Sequence, residues 1–171
     1  ISDSYQYVGG LRDKSDALRE IETWHTTMTA AGARPRELTT DLGGEFVGRA
    51  ADDLTSRLRL AHRFRAPEAH VDNIESSHRR LYESVRPALR EASAPSSLWE
   101  DACLWAVDTH NCRYVGGAIP HVALFSSFPD LSLLAPFYSH IAAYDGGQGR
   151  FASRSVHARY IGPARDCGIG A

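Results

Sequence analysis

At 171 residues the chain suits one domain with a sizeable core, because a chain near that length buries roughly two-thirds of its unfolded surface. Hydrophobic residues at 43%, charged residues at 23% and aromatics at 9% exclude disordered, collagen-like and coiled-coil compositions, and no apolar run approaches the roughly 20 residues that span a bilayer. The net charge of −2 excludes the strongly basic balance of a whole-chain nucleic-acid binder, so any DNA contact must be local.

In chain order, Tyr5 to Leu11 combines aromatic and β-branched residues ahead of a polar turn, which predicts a short strand ending near Gly9 and Gly10. Ser15 can cap a helix over 15–31, whose Leu18, Ile21, Trp24 or His25, and Met28 share one face, with Gly32 where a helix ends. Glu37 to Thr40 is a brief β-prone stretch that delivers Asp41 at its carboxyl end, followed by Gly43 and Gly44. Residues 48–60 repeat at helical period through Ala51, Leu54 and Leu58, and the stretch to Phe64 predicts a second strand before Pro67. Strand, helix and strand in alternation mark an α/β fold.

From Asn73 to Ala92 runs an arginine-rich helical segment with Leu81, Val85 and Leu89 on one face, and Pro87 should kink or split it. Ser97 and Glu100 have the spacing of a capping box, ahead of an apolar stripe through Leu98, Ala102, Ala106 and Val107 and a helix to about Asn111. Beyond Gly116 the chain is rich in proline, serine and glycine, and Val156, Ala158 and Tyr160 alternate as in a strand. Residues 1–112 thus form a core, and 113–171 an extension of short strands and loops.

Candidate chemistry starts from Asp41, because open α/β sheets present reactive groups at the carboxyl ends of their strands. Glu75 follows after 33 intervening residues, in the first turn of the arginine-rich helix. Two carboxylates brought from a strand end and a helix start can converge on Mg²⁺, which takes oxygen ligands and only one or two carboxylates. Each has an ordinary alternative: Asp before Gly-Gly makes a turn, and Glu suits the first turn of any helix. Of the 19 basic residues only Lys14 is lysine, which favours bidentate contact to phosphate or carboxylate. Arg79, Arg86 and Arg90 recur near helical period and could grip DNA phosphates, or form a solvated face paired with Glu83 and Glu91. Over 47–92 nine arginines face seven acids, a surplus that supports only salt-sensitive binding.

Three cysteines, Cys103, Cys112 and Cys167, include no CxxC pair, which suits a reducing compartment, and Cys103 and Cys112, in a predicted helix, are read as core packing. The eight histidines are read as solvent-facing or hydrogen-bonded. Trp24, Trp99 and Trp105 are read as core anchors within helices. A hydrolase using Cys103 or Cys112 with His110 has no supporting arrangement.

Several motifs act together. Thr40-Asp41-Leu-Gly-Gly-Glu45-Phe46, Ala66-Pro67 and Glu75-Ser-Ser-His-Arg79-Arg-Leu81 stand in the same order. Leu81 through Glu91-Ala92, Pro95, Ser97, Trp99 and Ala102 to Asn111 continue it, as do Pro120 to Phe125, Pro129-Asp130-Leu-Ser132 and Phe137. In this order the sequence resembles the integrase core of copia-type retrotransposon polyproteins, members of the DDE transferase group. The resemblance implies a ribonuclease H-like three-layer α/β fold and metal-dependent strand transfer that joins retroelement DNA to target DNA.

It further implies that Asp41 and Glu75 match the second and third catalytic and metal-binding carboxylates, serving Mg²⁺ or Mn²⁺. Asn73, Arg79, Arg80, Arg86 and Arg90 would contact DNA. A homo-oligomer and an intracellular, nuclear location follow from the family, with no membrane partner. The chain departs from the pattern in four places. No residue matches the first catalytic Asp, whose strand is expected upstream of Ile1. The interval from Asp41 to Glu75 is short, Asp72-Asn73-Ile74 replaces the expected Asn-Gly, and Ser76 replaces the Arg after the Glu. The expectation is a piece of an integrase core that is not a competent enzyme as given. The alternative is a non-catalytic nucleic-acid-binding or protein-interaction module of the same descent.

Overall fold

The computed structural model describes residues 5–65, 72–144 and 155–163, with the side chains of 72–74 left aside. Helix α1 (Ala17–Ala30) continues from a 3-10 turn at Lys14–Asp16. The turn is capped by the Asp13 carboxylate, which accepts the Ser15 N–H at 3.5 Å, so Ser15 is the donor there and not the cap predicted. Ala17 and Met28 are buried on one face, and Gly32 at φ +91° lets the chain turn away as expected.

Strand β1 (Glu37–Thr40), helix α2 (Arg49–Leu58) and strand β2 (Ala61–Phe64) follow at the predicted places. The strands pair in parallel, from Glu37 beside Ala61 to Thr40 beside Phe64. Parallel neighbours need a crossover, and α2 supplies it. It buries Ala51, Leu54 and Thr55, ends in left-handed Arg59, and is tied to α1 by an ion pair from Arg57 to Glu22. One further backbone bond, Arg65 N–H to the Thr40 carbonyl at 2.9 Å, carries the ladder to its carboxyl end. Asp41 emerges at that end.

Helix α3 (Asp72–Glu91) runs unbroken through Pro87, so of the predicted kink or split the split does not occur. An interior proline costs about 3 kcal/mol. Burial on both sides of it offsets that cost, since Leu81 and Val85 before and Ala88 and Leu89 after form one stripe in the main core. The stripe meets helix α4 (Trp99–Cys112), where Ala102 is fully buried and Cys103 and Ala106 nearly so, and Phe137 closes the cluster. Phe137 belongs to the segment assigned to the C-terminal extension, so that extension shares the core of 1–112.

The capping box predicted for α4 does not form. A 3-10 turn at Ser96–Leu98 leads in, and neither it nor α4 has a side-chain cap. Of the tryptophans, Trp105 is the anchor: its indole N–H donates to the Ala135 carbonyl at 2.9 Å and its ring lies 5.8 Å from that of Phe137. Trp99, expected in the core, is 52% exposed because it sits at the helix start, away from the buried stripe.

Helix α5 (Pro120–Phe125) packs on α4, and β3 (His140–Tyr144) pairs antiparallel with β4 (Ser155–Arg159). The predicted alternation in β4 is partial: Ala158 is half-buried, Val156 is exposed, and Tyr160 lies just beyond the strand. The described residues are therefore mixed α/β, helices with two small sheets.

The strand predicted over Tyr5 to Leu11 is not formed. Its backbone is met by a side chain instead of a neighbouring strand. The buried Asn111 amide accepts from the Gln6 N–H and donates to the Gln6 carbonyl, both at 2.8 Å, reproducing one rung of a ladder. Tyr5 then packs edge-on to Phe125, at 5.4 Å between ring centres, beside His121. Ala66-Pro67 and Cys167 lie outside the described residues.

Two outcomes follow. Asn111→Ala leaves both Gln6 backbone groups without their partner, which costs about 1–3 kcal/mol per group; thermal unfolding should show a Tm several degrees lower, and Asn111→Asp should recover only the accepting half. Burial against Tyr5 and Phe125 holds the His121 pKa below its ordinary value. The unfolded chain therefore takes up the proton first. The stability of neutral His121 is complete above the ordinary histidine range and falls as pH drops through the lowered folded value. Urea titrations across that window should show this slope reduced in His121→Phe.

Candidate active site and nucleic-acid face

Asp41 is exposed at the carboxyl end of β1, and its Oδ1 accepts the Gly43 N–H at 3.1 Å. The ordinary turn is therefore present, formed by the carboxylate itself. The following loop brings a second carboxylate in: a Cβ built on Gly43 would stand 3.0 Å from Asp41 Oδ1 and 3.0 Å from Glu45 Oε2. A side chain there would crowd both carboxylates, and each would have to give by a few tenths of an ångström.

Behind Asp41, the Thr40 hydroxyl meets His62 Nε2 at 3.0 Å across the two strands. The His62 ring lies 4.3 Å from that of Phe64, and its Nδ1 is buried with no hydrogen-bond partner. Neither Glu45 nor His62 was among the residues predicted for the site. Glu45 was visible in the motif but had no assigned role, and His62 becomes a neighbour of Thr40 only once the parallel register is known.

Glu75 is exposed in the first turn of α3. With about 3.6 residues per turn, Glu75, Arg79, Arg86 and Arg90 fall on one face, opposite the stripe of Leu81, Val85 and Ala88. All three arginines are exposed. Among the described residues none of them makes an ion pair, so the predicted pairing with Glu83 and Glu91 is not formed. Arg80 departs from this set: it lies on the flank of α3 with Ser84, along the groove toward α4. The Asn73 side chain lies outside those described, as does the 66–71 connection between β2 and α3.

A two-metal centre of the implied kind is held by three carboxylates. Among the described residues no three His, Cys, Asp or Glu side chains gather closely enough to hold a metal ion. Asp41 and Glu45 alone share a loop, and Asp41 already accepts a backbone N–H.

Cys103 and Cys112 sit in surroundings that suit packing better than nucleophilic attack. Burial, reinforced by Glu100, pushes the Cys103 thiol up, and burial with Asp108 does the same for Cys112, so the reactive thiolate is disfavoured at both. No family model matches the chain, and no curated protein matches it. The resemblance to integrase cores stays with the motifs that carry it. Among the described residues no helix is long and apolar enough to cross a membrane.

The turn and the charge at position 41 are separable. Asp41→Asn keeps an acceptor for the Gly43 N–H and should leave the unfolding midpoint nearly unchanged, whereas Asp41→Ala removes it at a cost of about 1 kcal/mol. Denaturant unfolding of the two variants checks this.

Proposed function

We propose that the chain is part of an integrase core of the copia type, whose β1, α2, β2 and α3 are consecutive elements of a ribonuclease H-like fold. It contributes Asp41, Glu75 and a DNA-phosphate face, and does not turn over by itself. The observation that carries this is the face of α3. Glu75 shares it with three exposed arginines that make no ion pair among the described residues, downstream of a parallel strand–helix–strand unit whose first strand ends at Asp41. Guanidinium groups in a row grip phosphates and position a duplex without reading its sequence. Glu75 at the head of that row would stand beside the bound backbone, where a strand-transfer carboxylate is needed. The DNA would be retroelement and target DNA, and the place of action the nucleus.

Asp41 and Glu75 supply two of the three carboxylates that hold paired Mg²⁺ or Mn²⁺ in this chemistry. In-line phosphoryl transfer depends on that positioning. A second reading, an interaction module of the same descent, draws on a different observation. Leu124 in α5 and Phe128, Leu131 and Leu133 between α5 and β3 are all exposed, with Phe128 at 80%. Such a cluster suits a protein partner, including a second copy of the chain.

The decisive measurement is duplex-DNA binding by fluorescence anisotropy at several salt concentrations. Each phosphate neutralised contributes about −0.9 to the slope of log K against log salt. The triple variant Arg79→Ala, Arg86→Ala, Arg90→Ala should bind much more weakly, with a slope shallower by about 2 to 3. An unchanged slope would favour the interaction module. A Mg²⁺-dependent strand-transfer assay should show no turnover; turnover lost in Asp41→Ala would make the chain a competent enzyme.

A further inference from the structure

The described elements pack in two groups. In one, α2 packs against α1 and against β2, which pairs with β1; in the other, α4 packs against both α3 and α5. The main hydrophobic cluster lies wholly in the second group. Asp41 belongs to the first group, and Glu75 with its arginines to the second.

Residues 5–10 reach both. Tyr5 packs edge-on to Phe125 of α5, and the Gln6 backbone bonds through both its N–H and its carbonyl to the Asn111 amide of α4. One residue on, the Tyr7 hydroxyl donates to Glu20 Oε1 of α1 at 2.8 Å. Gly9 then lies against the same side chain: a Cβ built on it would stand 2.6 Å from Glu20 Cδ and 2.8 Å from Cγ. The Gly9 backbone is not in the left-handed region, so what calls for glycine there is the closeness of Glu20 and not a turn.

The two attachments differ in strength. Asn111 is 3% exposed and makes its two bonds to Gln6 away from bulk water. The bond from Tyr7 to Glu20 is exposed, so water competes for both partners. Local opening starts where bonds face solvent and little apolar surface is buried. We propose that residues 5–10 form a strap, fixed on α4 and latched onto α1 by Glu20, that holds the two groups in one arrangement and opens at the Glu20 end. With the latch open the groups change their relative placement while each keeps its own packing. The strap thereby sets where Asp41 stands relative to Glu75, yet the inference is independent of the integrase reading, since it uses the chemistry of neither residue.

The test is double electron–electron resonance on the full chain, with nitroxides carried by a keto amino acid in place of Asp53 on α2 and Glu91 on α3, both exposed, so that the cysteines stay unlabelled. The wild type should give one narrow distance distribution. Glu20→Ala should broaden it toward longer separations, and Tyr7→Phe should do so to a smaller extent. Gly9→Ala should act like Glu20→Ala by displacing the Glu20 side chain, and should add nothing in the Glu20→Ala background, where no carboxylate remains to be displaced. Labels at Glu91 and His140, both in the second group, should keep the wild-type distribution in every variant. By hydrogen exchange the Gln6 N–H should stay as protected in Glu20→Ala as in wild type, because that end of the strap remains on α4. A wild-type 53–91 distribution that Glu20→Ala and Tyr7→Phe leave unchanged, a broadened 91–140 distribution, or faster exchange at Gln6 in Glu20→Ala would each overturn the proposal.

Discussion

The rest of the described structure hangs on how closely α3 and α4 approach. Val85 shares one buried cluster with Ala102, Cys103 and Ala106, and Ala102 has no exposed surface at all. Small residues at the contact let two helices pack at short range, where dispersion and apolar burial are both greatest. Once α4 is held there, its remaining sides become attachment points. Trp105 takes the Ala135 carbonyl and Phe137, Asn111 takes the backbone of Gln6, and α5 packs alongside. Among the described residues no large side chain is fully buried. The core is built from close contact of small groups instead of a few bulky ones.

The same contact decides where charge can go. By turning Leu81, Val85, Ala88 and Leu89 inward, α3 has to present Glu75, Arg79, Arg86 and Arg90 outward together. The arginine face is thus a geometric consequence of the packed stripe, and the groove holding Arg80 and Arg113 occupies the flank between the two faces. One helix thereby separates an outward arginine face from the groove toward α4. The Asp41 end of the molecule is organised differently, by a parallel ladder and the loop over Gly43.

The elements that the sequence made legible are those whose signal is local and repeated. The apolar period of α1, α2 and α3, the glycine ending α1, and the β-prone stretches around Asp41 and Phe64 all stand where expected. Asp41 at a strand end and Glu75 in a first turn were readable for the same reason, as was the Asp41 turn. The misreadings share a different cause. Ser97 and Glu100 have capping-box spacing, yet the 3-10 turn before α4 takes the chain elsewhere. Pro87 carries a local penalty that burial on both sides of it overrides. Trp99 lies near the apolar stripe in sequence but outside it in space.

By itself, then, the sequence determined the α/β alternation, the helix faces, and the placing of Asp41 and Glu75 on their elements, because these depend on residue spacing of 2 or about 3.6 and on turn chemistry. Only the tertiary structure decided which partner satisfies each exposed backbone and side chain. Tyr5 to Leu11 has the composition of a strand, but strand pairing is a contact between distant segments. Here the contact went to the Asn111 amide, 105 residues away. Likewise Thr40 and His62 became neighbours, and Trp105 and Arg113 came to face one groove, through packing that no local pattern encodes.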